Sequence, residues 1–149
     1  MFTLDLESSI VIGRPLNVVW DFMDDPQRAD EWQPYLVSLE QIPPDRMGVG
    51  TEQIYHFSYL GRKFMNHYVV TVYEPQKRSG FKSLPDSAIQ ASGENRFEAV
   101  EGGTKLTIAF RPEIGGFFGR MPKFMVSWNY RRTLSQNLTR IKEILEGEK

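Results

Sequence analysis

The C-terminal stretch from Phe117 to Lys149 contains the longest helical pattern in the sequence. Its apolar residues recur at steps of mostly three or four, which is the period of one helix face. They are Met121, Phe124, Met125, Trp128, Leu134, Leu138, Ile141 and Leu145. Pro122 suits the first turn, where its missing N–H loses no partner, and Gly147 suits the end. A helix of about 25 residues is roughly 35–40 Å long, enough to cross a small domain.

The chain before this helix is patterned mainly as strands, with two short helices near its start. Alternation predicts a strand over 2–12, and the spacing that follows predicts short helices over 15–23 and from Asp25 towards Trp32. Further strands are predicted over 35–42, 48–60, 63–73, 78–84, 88–100 and 104–111, with Pro112 ending the last one. Because short turns join most of them, the strands should be sequential and antiparallel. We therefore expect one α+β domain over 1–149, in which a curved seven-stranded sheet wraps around the long helix.

Several motifs occur along this order of elements. They are Ile10 to Pro15 followed by Val19-Trp20, then Trp32, then Gly102 to Thr107, and finally Leu138 to Glu146. Together they resemble the START-like (SRPBCC) superfamily, which has the helix-grip fold and includes polyketide cyclase/dehydrase-type proteins. The resemblance implies a deep cavity between the concave sheet and the last helix, where members commonly bind lipids, sterols, polyketides or other apolar molecules. It implies no catalytic residue, because the superfamily shares no catalytic motif.

Composition narrows the classes of partner. The net charge of −1 argues against nucleic acid binding. No apolar run approaches the roughly 20 residues of a membrane span, so we expect no stable membrane insertion. The N-terminus lacks the features of a signal peptide and the sequence has no cysteine, which together favour a cytoplasmic protein. We find no P-loop, dinucleotide fingerprint or Ser-His-Asp pattern, and we predict no cofactor.

The predicted hairpin over 48–73 places aromatic and polar side chains on one face. Tyr55, Phe57 and Tyr59 share a parity on its first arm, and Asn66 and Tyr68 share one on its second. Apolar walls with a few polar groups suit a ligand cavity, although an ordinary aromatic core has the same pattern. The predicted ligand-binding residues are Tyr55, Phe57, Tyr59, Asn66, Tyr68, Phe97, Phe110, Phe117, Met121, Met125, Trp128 and Arg131.

Three further residues each have two interpretations. His56 and His67 could face each other as an acid–base pair, but the parity of the hairpin favours an outward position for both. Two histidines without a third ligand do not predict a metal site. Arg131 falls in the predicted inner stripe of the long helix, where it would need a partner such as Glu52, Glu98 or a ligand carboxylate. Alternatively, Arg131 reaches a solvated edge.

The segment before the long helix is rich in glycine and phenylalanine. Phe117, Phe118 and Met121 are large and apolar, and Arg120 and Lys123 flank them. They either plug the end of the core or form a gate that touches a membrane transiently through Phe117 and Phe118.

Two functions are consistent with these features. The first is binding, and with it transport or sensing, of a hydrophobic or amphipathic small molecule such as a lipid or polyketide in an internal cavity. The second is a cyclase/dehydrase-like enzyme in the same cavity, where Tyr55, Tyr59, Tyr68 or Arg131 would polarise a carbonyl or move a proton. The sequence leaves the ligand and the oligomeric state open.

Overall fold

The computed structural model describes residues 2–116 and 118–148. In this part of the chain, eight antiparallel strands and a long C-terminal helix form the α+β helix-grip architecture that was predicted. The strands are β1 Phe2–Thr3, β2 Leu6–Ile12, β3 Leu36–Ile42, β4 Glu52–Tyr59, β5 Arg62–Glu74, β6 Arg78–Ser83, β7 Ala91–Val100 and β8 Gly103–Ile114. The helices are α1 Leu16–Asp24 and α2 Lys123–Gly147, with 3₁₀ turns at Pro26–Glu31 and Phe118–Arg120. Neither α1 nor α2 has the apolar length that crossing a bilayer requires.

The sheet follows the order of the chain for most of its width. Its strand order is β1-β8-β7-β6-β5-β4-β3, and β2 also pairs with β8. The strands from β3 to β8 therefore pair with their sequence neighbours, as short turns favour. Only β1 and β2 cross over, so that the first and last strands of the chain lie side by side.

The predicted first strand is divided into β1 and β2, which makes eight strands where seven were expected. The division lies opposite Pro112, whose carbonyl accepts a hydrogen bond of 3.1 Å from the Leu4 N–H. Proline has no N–H to return the second bond of that pair, so the ladder is interrupted there. The predicted end of the last strand at Pro112 is wrong, because β8 continues to Ile114.

The long helix has the predicted length, but its inner face is correct only in its second half. Its C-terminal half buries Leu134, Leu138, Ile141 and Leu145. In its first half the buried residue is Val126, whereas Trp128 and Arg131 are exposed. The predicted stripe fails between Trp128 and Leu134, because these residues are six apart and lie on different faces of the helix. Residues four and eight positions before Leu134 share its face; they are the partly buried Tyr130 and the buried Val126.

The C-terminal end of α2 is tied to the connection between β2 and α1. The Gly13 N–H donates to Glu146 Oε2 at 2.8 Å, and Arg14 Nη1 donates to the Leu145 carbonyl at 2.6 Å. Lys142 Nζ donates to the Val11 carbonyl at 2.6 Å. The main apolar core surrounds this end, where β2, β8, α1 and α2 contribute fully buried side chains. The first half of α2 extends from this anchored end towards the open part of the sheet.

Candidate functional site

A cavity of about 290 Å³ lies between the sheet and the middle of α2. This volume is near the lower end of the roughly 300–1,000 Å³ of small-molecule pockets. The strands supply the apolar lining residues Tyr55, Phe57, Tyr68, Val70, Phe81, Ile108 and Phe110. The middle of α2 adds Tyr130, Thr133, Leu134 and Asn137, the end of α1 adds Met23 and Asp24, and the connection from α1 to β3 adds Ala29, Trp32 and Gln33.

Aromatic rings form a continuous belt along the wall of the cavity, from β4 across the sheet to α2. The ring centroids are separated by 5.8 Å for Phe57–Tyr55, 5.3 Å for Tyr55–Tyr68, 4.7 Å for Tyr68–Phe81, 6.4 Å for Phe81–Phe110 and 6.2 Å for Phe110–Tyr130. These separations lie in or near the range of favourable aromatic contacts. We call these six residues the aromatic belt. It offers ring faces and edges to a flat or unsaturated guest.

Gly93 on β7 allows the belt to continue across the sheet. A Cβ atom at this position would lie 2.6 Å from Cζ of Phe81 and 2.9 Å from the carbonyl oxygen of Ala109. The Phe81 ring therefore occupies the space above Gly93 that a side chain would take. Periodicity along a single strand could not reveal this requirement, because the clashing atoms belong to β6 and β8.

Asn66 orients the hydroxyl group of Tyr68 from behind the cavity wall. Asn66 is 2% exposed, and its Nδ2 donates to Tyr68 Oη at 2.9 Å and to the Ile89 carbonyl at 2.8 Å. Its Oδ1 accepts from the Ile89 N–H at 3.1 Å. Because Tyr68 accepts from Asn66, its own O–H is directed elsewhere and can donate to a guest. Burial raises the pKa of Tyr68 to about 12, so this group stays protonated near neutral pH.

A second polar group lies at the end of the cavity nearest α1. The Tyr73 hydroxyl donates to Asp24 Oδ2 at 2.9 Å, and both residues line the cavity. Burial raises the pKa of the Asp24 carboxyl and that of the Tyr73 hydroxyl, and the hydrogen bond to Asp24 raises the latter further. The pair can accept a hydrogen bond from a guest or exchange a proton with it.

Tyr73 was missed because β5 contains a bulge. Simple alternation placed Val72 on the inner face with Val70, but the register shifts between these two residues, where Val70 pairs with Phe81 and Val72 with Gly80. The extra residue reverses the parity of the rest of the strand, so Tyr73 faces the cavity. No local turn signal marks this bulge in the sequence.

The charges around the cavity are of one sign. In the described part of the chain, Asp24 and Asp25 are the carboxylates that line it, and no lysine, arginine or histidine does. An anionic group placed inside would have no counter-charge, which is costly in an apolar environment. The lining of the cavity therefore disfavours an anionic guest.

The predicted binding residues fall into several places. Tyr55, Phe57, Tyr68 and Phe110 line the cavity. Met121, Met125 and Trp128 line a separate groove beside the first half of α2. Phe117 lies outside the described residues.

The remaining predicted residues lie away from the cavity lining. Tyr59 is exposed, with its ring centroid 4.7 Å from that of Tyr35. Asn66 stands behind Tyr68, and Phe97 packs in the core 4.9 Å from Trp20. The inward position of Arg131 is wrong: it is exposed, and its Nε donates to Ser127 Oγ at 3.3 Å.

Both histidines lie on the outer face of the hairpin. His56 stands between Tyr55 and Phe57, which line the cavity, and strand alternation directs it to the other side. His67 on β5 lies 2.6 Å from Glu52 Oε1 and 3.1 Å from Asp86 Oδ2. The hydrogen bond to Asp86 raises the pKa of His67 most, and the hydrogen bond to Glu52 raises it further. Within the described residues, no group of three or more His, Asp or Glu side chains is placed to hold a metal ion.

Comparison with known proteins agrees with this architecture. The family model described as "Polyketide cyclase / dehydrase and lipid transport" matches residues 3–146. No curated protein matches the chain.

Three solved structures illustrate the similarity of fold. A Thermus thermophilus protein has a TM-score of 0.76 at 17% identity, with 97% of this chain and 99% of that chain covered. The Zhui aromatase/cyclase from a Streptomyces species has a TM-score of 0.74 at 16% identity, covering 97% and 94%. A Polyketide_cyc-like protein from Corynebacterium glutamicum has a TM-score of 0.66 at 24% identity, covering 99% and 94%. At these identities the structures establish a shared fold, while the family match spans nearly the whole sequence. The chain therefore belongs to the polyketide cyclase/dehydrase and lipid transport family.

Proposed function

We propose that this protein binds a neutral, flat, amphipathic small molecule in the cavity, as a carrier or sensor. The observation that carries the proposal is the aromatic belt, with a hydroxyl donor at Tyr68 and an acceptor pair at Asp24 and Tyr73. Apolar walls with a few oriented polar groups are the usual composition of a small-molecule site. Membership of a family described by polyketide cyclisation and lipid transport supports the same class of ligand.

The two polar groups indicate the chemistry of the ligand. Tyr68 and Tyr73 are both on β5, five residues apart, which corresponds to roughly 15 Å along a strand. An elongated neutral molecule with a carbonyl or ether oxygen near Tyr68 and a hydroxyl group near Asp24 would satisfy both. Free fatty acids and phospholipid head groups are disfavoured, because no cationic side chain among the described lining residues would neutralise them. A polyketide-like or other aromatic ligand fits better.

The cyclase-like alternative has less support. Of the four residues considered for carbonyl polarisation or proton transfer, Tyr59 and Arg131 are exposed outside the cavity lining. Tyr55 and Tyr68 do line it, but burial raises the pKa of each, so neither is poised to ionise near neutral pH. We therefore propose binding as the function, and turnover of a bound aromatic ketone would overturn this choice.

Native mass spectrometry of the purified protein, followed by extraction, tests whether a molecule is carried in the cavity. A matched pair of probes then tests its polarity: 2-naphthol is neutral near pH 7, and 2-naphthoate is an anion of similar shape. We expect 2-naphthol to bind at least about tenfold more tightly, because the lining residues offer the carboxylate no partner.

A cavity-filling variant links the binding to this site. Val70 lines the cavity, so Val70→Phe would occupy part of its volume. Val69→Phe is the matched control, since strand alternation places Val69 on the outer face. We expect Val70→Phe to abolish binding of 2-naphthol and Val69→Phe to retain it. An empty protein that binds neither probe, or equal binding by the two variants, would reject the proposal.

A further inference from the structure

A second apolar region lies on the outer side of the first half of α2, separate from the cavity. Phe118 is 61% exposed, Phe124 74%, Met125 45% and Trp128 61%. Residues 88–90 and 113–115, which include the carboxylate Glu113, form the opposite wall of a groove of about 1120 Å³ that these four side chains line together with Met121. We call these five residues the α2 surface. Large apolar side chains exposed side by side on a folded protein indicate an interaction surface.

The charge around this surface differs from that of the rest of the molecule. Between Glu113 and Glu143 the sequence has no acidic residue and six basic ones. They are Arg120, Lys123, Arg131, Arg132, Arg140 and Lys142. The whole chain has 18 basic and 19 acidic residues, so the remainder has 12 basic against 19 acidic. The chain is nearly neutral overall, but its positive excess is concentrated on the segment that contains the α2 surface.

The cations nearest the α2 surface are available to a partner. Among the described residues, Arg120, Lys123, Arg131 and Arg132 form no ion pair with a carboxylate. The Arg132 guanidinium lies 5.5 Å from the ring centroid of Trp128, which joins the apolar and basic parts of the surface. These four cations therefore flank the exposed apolar side chains without an ion pair to a described carboxylate; Lys123 Nζ lies 5.8 Å from the ring centroid of Phe2, and Glu113 lines the same groove.

The α2 surface also adjoins the ligand cavity. Tyr130 lines both the cavity and the groove, so the two spaces are neighbours at this residue. Within the described part of the chain, the first half of α2 has no hydrogen-bonded ties like those that hold its C-terminal end to Gly13 and Arg14. A partner bound at the α2 surface would contact the more loosely held wall of the cavity.

We propose that the α2 surface docks on an anionic lipid bilayer. A helix with aromatic and apolar side chains on its outer face, surrounded by basic residues, lies in the membrane interface with its apolar side chains among the acyl chains. Basic residues near an anionic surface strengthen this attachment, and their effect falls off within a Debye length. The complementarity of charge selects an anionic bilayer over a neutral one. The proposal does not depend on which molecule occupies the cavity.

Co-sedimentation with vesicles tests the docking directly. The probes are vesicles of phosphatidylcholine alone and of phosphatidylcholine mixed with phosphatidylglycerol. We expect binding to the anionic vesicles at least about tenfold stronger than to the neutral ones, and a loss of binding when salt is raised. Equal binding to both kinds of vesicle, or binding to neither, would overturn the proposal.

Two double variants separate the apolar and electrostatic parts. Phe124→Ser with Trp128→Ser removes apolar area, and Arg131→Glu with Arg132→Glu reverses charge; each should weaken vesicle binding at least about tenfold. The matched controls are Leu60→Ser, at an 85% exposed apolar residue in the β4–β5 turn, and Lys77→Glu with Lys82→Glu, at exposed lysines in the β5–β6 turn and on β6. Both controls should bind vesicles as the wild type does.

Circular dichroism and binding of 2-naphthol check that the α2 variants keep their fold and cavity. Retained 2-naphthol binding with lost vesicle binding supports docking independently of the proposed function. Variants that sediment with anionic vesicles as the wild type does would reject the α2 surface as the docking site. A change of oligomeric state in the variants, without vesicle binding by the wild type, would identify a protein interface and overturn the membrane proposal.

Discussion

At the scale of single residues, the aromatic belt depends on the absence of a side chain at Gly93. The Phe81 ring reaches Phe110 only because it passes over this glycine, within 2.6 Å of where a Cβ atom would lie. The backbone oxygen of Ala109 closes the other side at 2.9 Å. If the Phe81 ring moved away, it would lose its contacts with Tyr68 and Phe110. The packing around Gly93 therefore affects the shape of the cavity.

Gly93→Ala should therefore lower the free energy of unfolding by about 1–3 kcal/mol, the usual effect of overpacking. It should also weaken binding of 2-naphthol, because Phe81 must turn into the cavity or away from Phe110. Gly48→Ala is the control, since no atom lies within 4 Å of the added Cβ there; we expect a change within about 0.5 kcal/mol. Urea unfolding measures both, and equal effects of the two substitutions would contradict this account.

His67 gives the fold a pH dependence that is separate from ligand binding. Its ring lies between Glu52 and Asp86, and these contacts raise its pKa in the folded state. Below the ordinary histidine pKa of about 6.5 the ring is charged in both the folded and the unfolded protein, and the carboxylates stabilise the folded form. As the pH rises through the raised pKa, the folded protein loses the proton and this stabilisation with it.

The stability difference between the wild type and His67→Gln should therefore be larger near pH 6 than near pH 9. Urea unfolding at the two pH values measures it. His56→Gln is the control, because His56 is more exposed and, among the described residues, lies near one carboxylate, Glu40 at 3.4 Å. A difference for His67→Gln that stays constant with pH, or that grows as pH rises, would show that the two carboxylates do not stabilise the charged ring.

At the scale of elements, the two halves of α2 are held differently. The second half buries Leu138, Ile141 and Leu145 completely and is tied to the β2–α1 connection. The first half buries Val126 and exposes Phe124 and Trp128. Local opening should therefore be easier in the first half, where fewer apolar contacts are lost.

Hydrogen exchange measured by mass spectrometry should show this difference within one helix. We expect amides over 138–145 to exchange at least about tenfold more slowly than those over 124–131, since a free-energy gap of about 1.4 kcal/mol is enough for that ratio. Binding of 2-naphthol should slow exchange around Tyr130 and Leu134, which line the cavity, and leave the C-terminal turns unchanged. Uniform exchange along α2 would contradict the division into two halves.

At the scale of the whole molecule, a compact core and a cavity lie next to each other on the same sheet, and Leu6, Ile108 and Leu134 belong to both. The core gathers around the anchored end of α2, and the cavity lies under its middle, where the aromatic belt replaces close packing. Of the six cations in the positive segment, Arg120, Lys123, Arg131 and Arg132 lie in or just before the first half of α2, whereas Arg140 and Lys142 lie at its anchored end next to the core. The cavity and the proposed docking surface are therefore neighbours in the fold, and Tyr130 lines both.

The sequence by itself determined the order of elements, the antiparallel pairing from β3 to β8 and the family. These features depend on local periodicity, turn residues and short motifs, all of which can be read from residues that are close in the sequence. It also indicated Tyr55, Phe57 and Tyr68, because strand alternation holds along β4 and the first half of β5.

Only the tertiary structure decided the rest of the site. The bulge in β5 directs Tyr73 inward. The break in the apolar period of α2 leaves Trp128 and Arg131 exposed and turns Tyr130 inward. The ring of Phe81, from a neighbouring strand, fills the space above Gly93. Each of these features arises where segments far apart in the sequence meet. Because the walls of a cavity come from segments that are distant in the sequence, its lining depends on contacts that no local sequence pattern encodes.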